Sequence, residues 1–240
     1  MAKNAALHSL TAQHAQNRVR SLGDPAVAAS SVRFFKKMHV ENDTFIGLRS
    51  ATLRQLAKDY RTLPLEEVEI LLQSGIHEER SLALLILERI VHRAPDTTRK
   101  QVYDFYLANT RWINNWDLVD VSAPPLAGAY LADKSRQPLY RLARSPMLWE
   151  RRIAIVATQH LIRLDDFADT LRISTMLLLD KEDLIHKAVG WMLREVGKRD
   201  QTTLEAFLKK HGRKMPRTML RYAIERFEPE KRRAYLQGRV

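Results

Sequence analysis

The sequence predicts an all-α fold, an α-α superhelix of HEAT-like repeats with a basic concave face, and three observations carry that prediction. Eight glycines and nine prolines are few for 240 residues. They fall between helically periodic segments, and no alternating β pattern or Asn-Gly hairpin interrupts them. Amphipathic blocks also recur at a nearly constant interval: aligning Arg80, Trp116, Arg152, Lys187 and Arg221 gives steps of 36, 36, 35 and 34 residues. A period in the mid-thirties in a helical chain marks stacked helix pairs, each burying its apolar side on its neighbours. The third observation is charge. Lys and Arg number 40 against 28 Asp and Glu, a net +12, and residues 121–240 hold 24 basic against 14 acidic while residues 1–120 hold 16 against 14.

Along the chain, Met1 to Tyr60 follows the repeat poorly. The first regular block is HEERSLALLILERIVHRA, His77 to Ala94. Its apolar residues surround most of the helix, so it is expected to pack on more than one side. Next comes RWINNWDLVDVSAPPLAG, Arg111 to Gly128. Asn114 or Asn115 is placed to cap a short helix, leaving Asp117 in the first turn, where a carboxylate complements the helix dipole. Pro124 has no N–H for the Asp120 carbonyl, so the helix ends or kinks there. Three further blocks complete the array: LWERRIAIVATQHL from Leu148, LIHKAVGWMLRE from Leu184 and MPRTMLRYAIERF from Met215.

Composition narrows the chemistry. There are no cysteines, which excludes disulfides, thiolate nucleophiles and iron–sulfur clusters. The eight histidines are scattered with no HxxxH or HExxH spacing. No apolar run approaches the roughly 18 residues of a membrane span, and Met1 to Leu22 lacks a signal-peptide core. A soluble, cytoplasmic, nucleoid-associated protein is expected. The basic excess favours a polyanionic partner, because cations that neutralise phosphates release counterions.

The repeat also aligns faces. Residues in the same register lie in one stripe, and residues four further on share that side of each helix. The register-zero stripe reads Arg80, Trp116, Arg152, Lys187, Arg221; one turn on it reads Leu84, Asp120, Val156, Trp191, Glu225. Trp116, Asp120, Arg152 and Trp191 are thus expected on one surface. Tryptophan on a helix is more often core than ligand, but a carboxylate and four cations in the same stripe are costly to desolvate in a core. For Asp120 two readings stand at this point: a functional carboxylate, or a salt bridge to Arg152. With no second carboxylate, metal cluster, Ser/His/Asp set or phosphate loop in view, a lone anion suits a reaction with a cationic transition state, such as cleavage of an N-glycosidic bond.

These residues carry a resemblance. FFKK (Phe34 to Lys37), FIGLR (Phe45 to Arg49), WDLVD, RRIAI and KAVGWMLRE resemble the AlkD family of bacterial DNA alkylation repair proteins, over nearly the whole chain. The resemblance implies a HEAT-like-repeat glycosylase for cationic N3- and N7-alkylpurines, with residues 1–240 as a single domain. It implies no cofactor or metal, a monomer, and duplex DNA containing alkylated bases as the partner. The family's WDxVD segment matches Trp116 and the catalytic Asp120, its RxAI arginine matches Arg152, and its GWxLRE tryptophan matches Trp191. The lesion nucleotide would rest against the two tryptophans without base flipping, and Arg152 would clamp a phosphate. Arg80, Arg151, Lys187, Arg194 and Arg221 are candidates for further backbone contacts. Asn115 stands where some relatives carry another tryptophan, and Phe35 stands in a region where a tyrosine is expected. With Arg152 on a phosphate, Arg152→Ala is expected to weaken DNA affinity and flatten its dependence on salt. An unchanged salt slope in a binding titration counts against that contact.

Overall fold

Residues 10–36 and 43–239 are described by a computed structural model. Lys37 of the FFKK motif and the first nine residues lie outside the described residues. The described chain is helical, and its one β feature is an isolated bridge between Thr44 and Ile76. It divides into two compact units, the first ending at Ile113 and the second starting at Asn114.

In the first unit the helices are α1 (Ala12–Ser21), α2 (Pro25–Lys36), α3 (Ser50–Asp59), α4 (Leu65–Leu72), α5 (His77–Val91) and α6 (Asp96–Ala108), followed by a 3-10 turn at Thr110–Trp112. As its all-round apolar pattern requires, α5 packs against α1, α3, α4 and α6, with Leu82 to Leu87 buried without a break. The first turn of α5 explains why the early chain departs from the repeat. Glu78 is buried and accepts the backbone N–H groups of Ile46, Gly47 and Leu48 at 2.7–3.3 Å. A carboxylate thus satisfies an extended segment that no helix or sheet satisfies. Gly47 sits there at φ +87, a left-handed conformation that side chains disfavour.

The second unit holds α7 (Trp116–Ala123), α8 (Ala129–Leu131), α9 (Gln137–Leu142), α10 (Leu148–Ala157), α11 (Gln159–Arg163), α12 (Ala168–Met176), α13 (Asp183–Arg199), α14 (Gln201–His211), α15 (Arg217–Ala223) and α16 (Pro229–Leu236). Within it α7 packs on α10, α10 on α13 and α13 on α15. These helices carry the 116, 152, 187 and 221 register positions, so the repeat read from the sequence is a physical stack. α9 packs on α10, α12 on α10 and α13, and α14 on α13, supplying the return helix of each pair.

The double proline does not end α7. The helix runs on through a π turn, Pro124–Gly128, into α8, and the Ala129 N–H reaches back to the Pro124 carbonyl. Widening by one residue per turn accommodates two residues that cannot donate to the preceding turn. The turn ends at Gly128, where a Cβ would meet the Ala157 carbonyl oxygen at 2.1 Å. Gly190 on α13 plays the same part: its Cβ would lie 2.5 Å from both the Met219 carbonyl oxygen and the Tyr222 Cβ. The stripe helices therefore approach through glycine. Gly128→Ala is expected to destabilise the protein by about 1–3 kcal/mol through overpacking against backbone. Urea denaturation checks this, and an unchanged midpoint refutes the close approach.

Candidate functional site

The site starts with the first turn of α7. Asn115 occupies the N-cap position, fully buried, but makes no side-chain capping bond. Asp117 lies in the first turn as expected, and its Oδ1 accepts the Leu118 N–H at 2.9 Å. One turn beyond half-buried Trp116, Asp120 projects toward α10.

There it meets Arg152. Nε donates to Asp120 Oδ1 and Nη2 to Asp120 Oδ2, both at 2.9 Å, while Nη1 donates to the Leu184 carbonyl at 2.6 Å. The fork-to-fork geometry fixes the plane of the carboxylate. The guanidinium thus ties together α7, α10 and α13. The two partners differ in access: the Arg152 side chain is 5% exposed and that of Asp120 18%. The cation is sealed and the anion keeps an opening. Burial pushes the Asp120 carboxyl above its ordinary value, the Arg152 charge and hydrogen bond pull it down, and Asp117 adds a push upward, leaving it raised.

This pairing bears on the phosphate contact expected of Arg152. A phosphate clamp needs donors at the surface, and here three of its donors are spent on Asp120 and Leu184. Trp191 is half-buried on α13, two turns beyond Leu184 and one turn after Lys187.

The backbone candidates divide. Arg80, in the first unit, is buried at 4% exposure, paired with Asp43 and donating to the Ser74 carbonyl. Arg151 pairs with Asp180 at 2.7 Å and donates to the Ser145 and Pro146 carbonyls, bracing the loops before α10 and α13. Lys187 pairs with Asp183 at 2.9 Å. Partial burial pushes Asp183 up, but hydrogen bonds from Lys187 and Thr218 outweigh it and hold the carboxyl below its ordinary value. Arg194 bridges Glu225 and Glu195. Arg221 alone of the five is exposed with no carboxylate of the described residues within ion-pair distance. Arg232, which shares a groove with Arg221, was not among the residues legible in the sequence. Its only signal was membership of the basic second half. Among the described residues, no helix is long and apolar enough to cross a membrane.

Stacked helix pairs with a carboxylate–guanidinium pair between two tryptophan-bearing helices define an all-helical repeat protein with a buried-cation, open-anion site. The chain belongs to the DNA alkylation repair enzyme family, which it matches over residues 15–227. That membership makes it a DNA-binding enzyme of alkylation repair. It is similar to a solved structure described as a predicted DNA alkylation repair enzyme from Enterococcus faecalis, 19% identical, with a TM-score of 0.68 over 86% of this chain and 97% of that one. At that identity the likeness establishes the all-α fold. Comparison with curated proteins gives no match.

Arg152→Gln is expected to raise the Asp120 pKa further, because the positive charge opposing burial is removed. A carboxyl-carbon NMR titration reads this effect; a fall in pKa would show that Arg152 is not what restrains Asp120. Breaking the pair is also expected to cost ~3 kcal/mol of stability in urea unfolding.

Proposed function

We propose that the protein is a monofunctional DNA glycosylase. It would hydrolyse the N-glycosidic bond of positively charged N3- and N7-alkylpurines, such as 3-methyladenine and 7-methylguanine, to begin base excision repair without base flipping. The observation that supports this most is Asp120, a carboxylate held rigidly by Arg152 yet left open on its outer side, in a chain of the alkylation repair family.

The chemistry asks little of the protein. A cationic purine is already a good leaving group: the C1′–N bond breaks, its electron pair passes to the base, and the base departs neutral. The positive charge then resides on the sugar. The fixed anion of Asp120 stabilises that oxocarbenium ion and orients the water that adds to C1′. Pre-orientation by Arg152 means the carboxylate does not have to reorganise as charge develops. Trp116 and Trp191 offer indole faces to a cationic nucleotide. Asp120 must be ionised to act, and its raised pKa places the acid limb of the rate above the ordinary aspartate range. The enzyme would act on duplex DNA as a monomer, without metal or cofactor.

A second reading rests on a specific observation. Arg151 with Asp180, Arg199 with Asp165, and Arg194 with Glu225 join residues 29, 34 and 31 apart, and Asp120 with Arg152 joins residues 32 apart. The pair would then be one more inter-repeat brace, in a non-catalytic module that binds damaged or branched DNA.

Purified protein is expected to release 7-methylguanine from methylated duplex, and Asp120→Asn to slow release by at least ~100-fold, about 2.7 kcal/mol of transition-state stabilisation. Equal release by the variant would end the assignment of Asp120. Absence of release by the unaltered protein would establish the second reading in its place.

A further inference from the structure

The stack carries a feature that neither the glycosidic chemistry nor the repeat uses. An open groove of about 470 Å³ lies on α15 and α16, lined by Thr218, Arg221, Tyr222, Glu225 and Arg232. Thr218, Arg221 and Tyr222 are spaced by three and one residues on one face of α15, and Glu225 follows in the turn just past its end. That face is the stripe's own, since Arg221 holds register zero and Glu225 lies one turn on. Tyr222, 36% exposed, sits where a Cβ on Gly190 would collide, and Gly190 precedes Trp191. The groove therefore lies beside α13, the helix that carries Trp191.

Its charges are not balanced locally. Glu225 is taken up by Arg194 from α13. Asp183, which accepts the Thr218 hydroxyl, is paired with Lys187. Among the described residues, Arg221 and Arg232 have no carboxylate within ion-pair distance, and the Arg232 Nε is buried without a hydrogen-bond partner. A buried guanidinium N–H left unmade is costly. Two forked cations facing one groove, one with an orphaned donor, match the several acceptor oxygens of a phosphate.

We infer that this groove seats one backbone phosphodiester of duplex DNA between Arg221 and Arg232, extending the DNA contact one helix pair beyond Trp191. The inference rests on the DNA-binding reading but not on the glycosylase chemistry. Arg221 and Arg232 are binding residues here, and Tyr222 is positioned to add a hydroxyl contact to the same phosphate.

Salt titration of binding tests it, using an unmodified 16-base-pair duplex without 5′-phosphates between about 50 and 200 mM KCl. Neutralising one phosphate contributes ~0.9 to the slope of log affinity against log salt. Arg221→Gln with Arg232→Gln is expected to lower the slope by that amount, so the affinity ratio between the two salt limits shrinks by about 3.5-fold. Arg233→Gln, exposed on α16 outside the groove, is expected to leave the slope as it is. A slope unaltered by the double substitution overturns the seat. So does an equal loss from Arg233→Gln, which would indicate diffuse attraction, or a loss seen only on 5′-phosphorylated duplex, which would indicate a strand end. Base release from methylated duplex by the unaltered protein, assayed alongside, separates the two readings: a slope that responds to the arginines with no base release removes the glycosylase and keeps the seat. Base release with an indifferent slope does the reverse.

Discussion

One guanidinium organises the second unit. Arg152 is sealed from solvent, and its Nε, Nη1 and Nη2 reach the α7 carboxylate and the α13 backbone from the middle helix, α10. A buried cation is tolerable only when its hydrogen bonds are complete, so the helices on either side must sit where its fork can reach them. The orientation of Asp120, the approach of α13 and the position of Trp116 one turn earlier all follow from that demand. The site and the stacking of the repeats are thus the same structure. A carboxylate placed for chemistry also joins two repeats, and its raised pKa records what its burial costs.

The same economy runs through the other charges. The basic excess of the second half suggested a surface of free cations, but several arginines are engaged across repeats: Arg151 with Asp180, Arg199 with Asp165 and Arg194 with Glu225. Most of these are exposed or half-exposed pairs whose individual contributions to stability are small. Their effect is to set which cations remain. What is left for a polyanion is more selective than net charge implies, and on the stripe face of α15 it is concentrated at Arg221.

The repeat was legible because its cause is local and periodic. Each stripe helix must present an apolar side at a fixed interval, and the 116, 152, 187 and 221 positions landed on α7, α10, α13 and α15. Trp116, Asp120 and Arg152 were legible as a set for the same reason, whereas the direction in which Arg152 points was not. Register places a Cα, and a long side chain with several partners within reach settles by burial. Arg80 shows the limit most clearly. It holds the stripe's register but points inward to Asp43, a residue from the early segment that the repeat does not describe. Arg232 escaped altogether, because its groove partner is on the preceding helix and no spacing within α16 marks it. Asn115 occupied the predicted cap position without capping, its side chain buried with the core.

The π turn at Pro124–Gly128 has a bearing on how this chain should be compared with others. A π turn is a helix carrying one surplus residue, so here it amounts to a single-residue insertion held within a continuous helix. A relative in which the same helix runs regularly would have one residue fewer between Asp120 and Gly128. A one-position gap at the double proline in an alignment would then mark a change of helix type with the carboxylate still in register, and counting residues from one side of the gap would misplace everything on the other.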